Sequence, residues 1–153
     1  MKRHCPELFA AFVVLLAAGC DTINHTQFQV AGQTAASGTR LAISSDDREA
    51  VRQTVQAAAQ ELHYEDRLSL SLTPNTIASY AEPDNENPIT IVAWLKDQTI
   101  VVDIIQKPTD LGESSAYRKV HDLLLASLKN RFGTRVEIVP LDKQISSRTV
   151  FKH

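Results

Sequence analysis

Apolar and polar positions alternate along this chain with two different periods, and each change of period marks an element. Val51, Val55, Ala58 and Leu62 recur at helical spacing behind Asp46 and Glu49, a capping-box arrangement, which predicts a helix over residues 47–63. Leu68, Leu70 and Leu72 then alternate with Ser69, Ser71 and Thr73, the period of a strand with one buried face, closed by Pro74 and Asn75. The stretch to Pro88 reads as loop, with a few extended residues over 77–80. Residues 89–95 and 99–105 are β-branched runs separated by Lys96-Asp97-Gln98, which predicts a hairpin at the centre of a sheet. After Lys107-Pro108, Ser114 or Ser115 can cap a second helix. Its Tyr117, Val120, Leu124 and Leu128 share a face until Gly133, and residues 134–139 form a last strand before Pro140.

This order, α-β-β-β-α-β over residues 47–140, predicts an α+β two-layer sandwich with two helices on one face of a mostly antiparallel sheet of about four strands. The crossover through the second helix should leave the third and fourth strands parallel. Residues 20–46 are rich in Thr, Gln, Ala, Ser and Gly without a sustained period, the composition of a flexible tether with a reach of ~25–30 Å, although Ile23, Phe28, Val30, Leu41 and Ile43 could form a short strand or dock on the domain. Residues 141–153 read as a polar tail whose strong apolar residues are Val150 and Phe151.

The first twenty residues follow different rules. Lys2 and Arg3 precede an unbroken apolar run from Leu8 to Ala18, and small residues follow at Ala17-Ala18-Gly19. The run would cover only ~16 Å as a helix against ~30 Å of hydrocarbon, so a removable secretion signal over residues 1–19 fits better than a permanent span. The stretch Leu16-Ala17-Ala18-Gly19-Cys20 resembles the lipobox of bacterial lipoproteins, although the apolar residue usual three before the cysteine is here Ala17, with Leu16 one position further out. The resemblance implies cleavage between Gly19 and Cys20, and diacylglyceryl and N-acyl lipid, palmitate-type chains, on the Cys20 thiol and amine. It also implies a location on the periplasmic or outer-surface side of the cell envelope. Asp21 resembles the residue that retains enteric lipoproteins in the inner membrane.

Composition narrows the remaining classes. A chain of 153 residues with 43% apolar and 22% charged residues suits one ordinary globular domain. Its net charge of −2 offers no basic surface for nucleic acid. Removal of Cys5 with the signal would leave the folded part without a cysteine other than Cys20. The acidic loop Glu82-Pro83-Asp84-Asn85-Glu86-Asn87 resembles a calcium loop only superficially, because Asn87 stands where an EF-hand needs Gly and Ala93 where it needs a bidentate Glu. No zinc or phosphate-loop spacing occurs, so no metal or free cofactor is expected. His63 reads as a residue favourable to a helix C-terminus. His121 reads as a boundary histidine beside Asp122, not facing it. Asp103 and His121 are the least implausible acid–base pair for an envelope enzyme.

The more suggestive feature is the second face of the hairpin. If Ile89, Ile91, Ala93 and Leu95 pack against the helices, then Val92, Trp94, Val101, Asp103 and Ile105 share the opposite face, an apolar patch around an aromatic anchor. The linker or the Val150-Phe151 tail offers an alternative cover for that face. The sequence therefore predicts a membrane-anchored, non-catalytic domain that binds another cell-envelope protein as an assembly, docking or regulatory factor. A carrier or sensor of a small ligand or lipid, held between sheet and helices, is the alternative.

Overall fold

A computed structural model describes residues 24–70, 75–107 and 114–144. Among them, two helices lie against one face of a six-stranded antiparallel sheet, which confirms the α+β class and corrects the expected strand count. Strands β1 (Asn24–Ala31), β2 (Glu65–Asp66), β3 (Thr76–Ala81), β4 (Thr90–Lys96), β5 (Thr99–Gln106) and β6 (Val136–Ile138) are ordered β2-β3-β4-β5-β1-β6. Helices α1 (Ser45–Glu61) and α2 (Ser115–Phe132) supply the second layer.

The expected hairpin is present as β4 and β5, paired from Thr90↔Ile105 to Lys96↔Thr99. Asp97 takes a φ of 51° in the tight turn, a conformation that Asp tolerates better than most residues. Ile91 and Ala93 of β4, with Ile100, Val102 and Ile104 of β5, join one core with Val51, Val55, Ala58 and Ala59 of α1 and Val120, Leu124 and Leu128 of α2. These side chains fill the space between the layers, and most are fully shielded from solvent. β5 and β6 point the same way, as the crossover implied, but they are not neighbours. β1 runs antiparallel between them.

β1 takes the first part of the expected 20–46 tether into the sheet, and it is the short strand that Phe28 and Val30 made possible. Phe28 and Val30 enter the core at 0% exposure, while His25, Gln27 and Gln29 occupy the other face. The polar composition that suggested a linker is thus the outer half of a period-two pattern. Beyond β1 the backbone stays ordered in a small arm closed by Leu41 N–H to the Gln33 carbonyl at 2.7 Å and Ala35 N–H to Thr39 at 2.9 Å. Gly32 is required there, because an added Cβ would lie 2.0 Å from the Leu41 carbonyl oxygen.

The expected strand around Leu68 and Leu70 is instead a 3₁₀ turn, Leu68–Leu70, that leaves both leucines exposed. Asp66 Oδ1 accepts the Leu68 N–H at 2.8 Å, and this local bond turns the chain out of the ladder. Leu72 lies outside the described residues. The following stretch, read mostly as loop, is β3, in register with β4 apart from a bulge between Thr76 and Ala78. Both sheet edges are very short strands, β2 and β6, which limits the row of unpaired backbone groups open to edge-to-edge association.

Helix starts depart from expectation by small steps. α1 is capped by Ser44, whose Oγ accepts the Asp47 N–H at 3.0 Å. Asp46 falls in the first turn, and Glu49 turns outward to Arg52 and Gln53. α2 is capped by Ser114 in the same way and ends at Gly133, whose φ of 58° favours glycine. Just beyond it, Arg135 clasps three elements. Its Nε donates to the Ala31 carbonyl at the end of β1 (2.8 Å), Nη2 to Asp47 Oδ2 in α1 (2.7 Å), and its guanidinium lies 5.6 Å from the Phe132 ring centre.

The hydrogen bond from Arg135 holds the Asp47 carboxyl below its ordinary value, against the opposing effect of burial. Arg135→Met should therefore lower unfolding free energy by about 2 kcal/mol at neutral pH, the scale of a part-buried charge-assisted bond. Because the folded value is depressed, this contribution is intact above the ordinary carboxylate range and is lost as pH falls through the folded value. Urea titrations of both proteins from neutral pH to below pH 4 should show their difference shrinking with acidification. A constant difference would mean that Arg135 acts by packing alone.

Candidate functional site

The pleat sends alternate residues of β4, β5 and β1 to the sheet face away from the helices, and the register fixes which of them meet. Val92 and Gln27 stand directly opposite Asp103 on its two sides, while Trp94 and His25 are its diagonal neighbours. Three donors converge on this one carboxylate. Trp94 Nε1 donates to Oδ2 at 2.7 Å, Gln27 Nε2 donates to Oδ1 at 2.8 Å, and His25 Nε2 lies 2.8 Å from the same oxygen. The His25 contact is a donation in the tautomer that carries its hydrogen on Nε2.

Burial makes the arrangement demanding. Asp103 is 1% exposed, Gln27 and Val101 0% and Trp94 7%, whereas Val92 and Ile105 are half-buried. A carboxylate removed from water is tolerated only where donors replace its hydration, and both oxygens have them here. The sequence pattern correctly groups Val92, Trp94, Val101, Asp103 and Ile105 on one face. It does not describe an open apolar patch around an exposed aromatic anchor, because Trp94 lies within a closed layer with its N–H bonded to Asp103. Val150 and Phe151, considered as a cover, lie outside the described residues, as do Gly19, Cys20 and Asp21.

His25 and Gln27 are the members that composition concealed. Their signal is the alternation of His25, Gln27 and Gln29 with Phe28 and Val30; the apolar residues suggest a short strand there, but Gln and Thr, common in linkers, hide its second face. His25 is further held through its backbone, whose carbonyl accepts from Gln144 Nε2 at 3.3 Å.

The acid–base pair considered for an enzyme is not assembled. His121 faces the helix layer with its ring centre 5.5 Å from that of Phe28, and the sheet separates it from Asp103. Its Nδ1 instead meets Asp122 Oδ1 at 2.9 Å, contrary to the expectation that adjacent helical residues stay apart; the exposed Asp122 carboxyl reaches round to the half-buried ring. His63 stands just past the C-terminal end of α1 at a φ of 58° and is exposed. The acidic loop closes on itself. Glu82 Oε2 accepts from Asn85 at 2.8 Å, and Asn85 Oδ1 accepts the Asn87 N–H at 3.0 Å. Among the described residues no three His, Cys, Asp or Glu side chains gather as metal ligands, and no helix is long and apolar enough to cross a membrane.

Chemically, the Asp103 cluster ties β4, β5 and β1 together through side chains in addition to their backbone ladders. Asp103→Leu should leave the buried Trp94 N–H without its acceptor, remove one partner from Gln27 and His25, and lower unfolding free energy by about 3 kcal/mol. Trp94 is the only tryptophan, so its emission reports the transition without a label. An unchanged denaturation midpoint in Asp103→Leu would show that the three contacts contribute nothing net. Comparison of the chain with protein-family models, with curated proteins and with solved structures found no match.

Proposed function

We propose that this chain is a bacterial envelope lipoprotein, cut before Cys20 and acylated there, whose α+β domain docks another envelope protein at the membrane surface instead of catalysing a reaction. The observation that carries the reading is the stretch Leu16-Ala17-Ala18-Gly19-Cys20 behind a short apolar run, standing four residues ahead of the first strand. Each acyl methylene buried contributes ~0.8 kcal/mol, so two or three chains hold a small domain durably at the bilayer. Asp21 supports retention at the inner membrane.

The non-catalytic reading is supported by Asp103. Its two oxygens are occupied by Trp94, Gln27 and His25, which leaves that buried carboxylate as an organiser of the sheet. We assign docking to the same face, with Val92 and Ile105 as its accessible members and Trp94, Val101 and Asp103 as the layer that holds them flat. The alternative of a ligand carried between sheet and helices finds less support, since Phe28, Ile91, Ile104, Leu124 and Leu128 occupy that space.

Intact-mass measurement of the protein from bacterial membranes should give a chain beginning at residue 20 and heavier than its sequence by the mass of the acyl groups. The Cys20→Ser variant should be recovered without them. An unmodified Cys20, or residues 1–19 still attached, would overturn the anchor. For docking, a photo-crosslinking residue at position 105 should give a discrete adduct in cells while one at the exposed Gln53 of α1 gives none. Identical outcomes at the two positions would remove the face from the proposal.

A further inference from the structure

The lipid would leave the domain little freedom of placement. Cys20 and Asn24, the first residue of β1, are four residues apart, and a fully extended chain spans at most ~3.6 Å per residue, or ~14 Å in all. The end of the sheet at which β1 begins is therefore confined near the bilayer, while the Asp97-Gln98 turn at the opposite end of β5 lies roughly 25 Å further along the strands.

The confined end has two unlike sides. After β6 the chain runs back beside the first residues of β1: the Val139 N–H donates to the Gln27 carbonyl at 2.8 Å, and Gln144 Nε2 donates to that of His25 at 3.3 Å. Between these contacts the 3₁₀ turn Leu141–Lys143 projects. Leu141 is 80% exposed, more than the other large apolar side chains found at the surface, and Asp142 and Lys143, which complete the turn, are exposed too. Lys107 follows the end of β5, opposite Asn24. Across the sheet, three strand spacings or roughly 14 Å away, the β3–β4 connection carries Glu82, Asp84 and Glu86 instead.

We propose that the turn Leu141–Lys143 is the domain's contact with the bilayer. Leu141 enters the headgroup boundary, and the Lys143 ammonium lies on the phosphates of anionic phospholipid. The exposed leucine suits that boundary, Lys143 offsets Asp142 and Lys107 adds a cation nearby, whereas the connection with Glu82, Asp84 and Glu86 holds three acids and no cation and is repelled, so the domain leans toward its β1–β6 side. This inference rests on acylation of Cys20, as proposed above.

The test uses the full-length lipidated protein, reconstituted in vesicles of phosphatidylethanolamine and phosphatidylglycerol, with the Cys20 thiol already occupied by lipid. Leu141→Cys and, separately, Gln98→Cys accept a fluorophore; both positions are exposed, so neither substitution disturbs the core. Nitroxide-bearing phospholipid should quench the probe at position 141 several-fold more than the probe at position 98. Protein that floats with the vesicles but is quenched equally at both positions, or more at 98, overturns the orientation and leaves the anchor standing. Protein that does not float removes the anchor, and the orientation falls with it.

Discussion

A carboxylate taken out of water within a sheet face constrains everything around it. Asp103 sits in β5 with strands on both sides, so its donors must come from side chains at particular cross-strand positions. Trp94, Gln27 and His25 supply them from β4 and β1. A slip of either neighbour by one residue would turn those donors to the helix side and leave the charge unmatched. The register of the three central strands is thereby specified twice, by the apolar core on one face and by hydrogen bonds on the other. The Arg135 clasp adds a third tie at the far end of β1, joining Ala31 to the first turn of α1.

Legibility in the sequence followed the strength of the periodic signal. Both helices and the β4–β5 hairpin were readable, because their apolar positions repeat without interruption and the two sheet faces differ in kind. Where signals failed, a local interaction or a polar outer face had overridden them. Leu68 and Leu70 alternate like a strand, yet the Asp66 side chain captures a backbone N–H and turns the chain away. β1 reads mainly as linker because its outward residues are His25, Gln27 and Gln29 and its first inward ones are the polar Asn24 and Thr26, so only Phe28 and Val30 betray an inward face.

The candidate site was half visible for the same reason. Trp94 and Asp103 could be placed on one face from the hairpin alone, since residues of paired strands keep a fixed relation. The partners that make the cluster a closed network stand on a strand nearly eighty positions earlier in the chain, and their arrival depends on a strand order that alternation does not encode. The same strand order changes the meaning of the N-terminal region. Residues that composition assigned to a tether are structural, so the segment between the proposed lipid and the folded body contracts from a flexible spacer to a few residues.

The position of β1, next to the edge strand β6, also bears on how the chain reaches its final form. The earliest described strand lies between β5 and β6, with Phe28 opposite Ile138 and Val102. Synthesis delivers those neighbours long after β1 has emerged: β5 begins at Thr99 and β6 at Val136. Long-range closure of this kind slows folding relative to local hairpins and helices. The apolar face of β1, with Phe28 and Val30, therefore waits for a strand some seventy positions downstream, and the second helix and β6 complete its surroundings last of all.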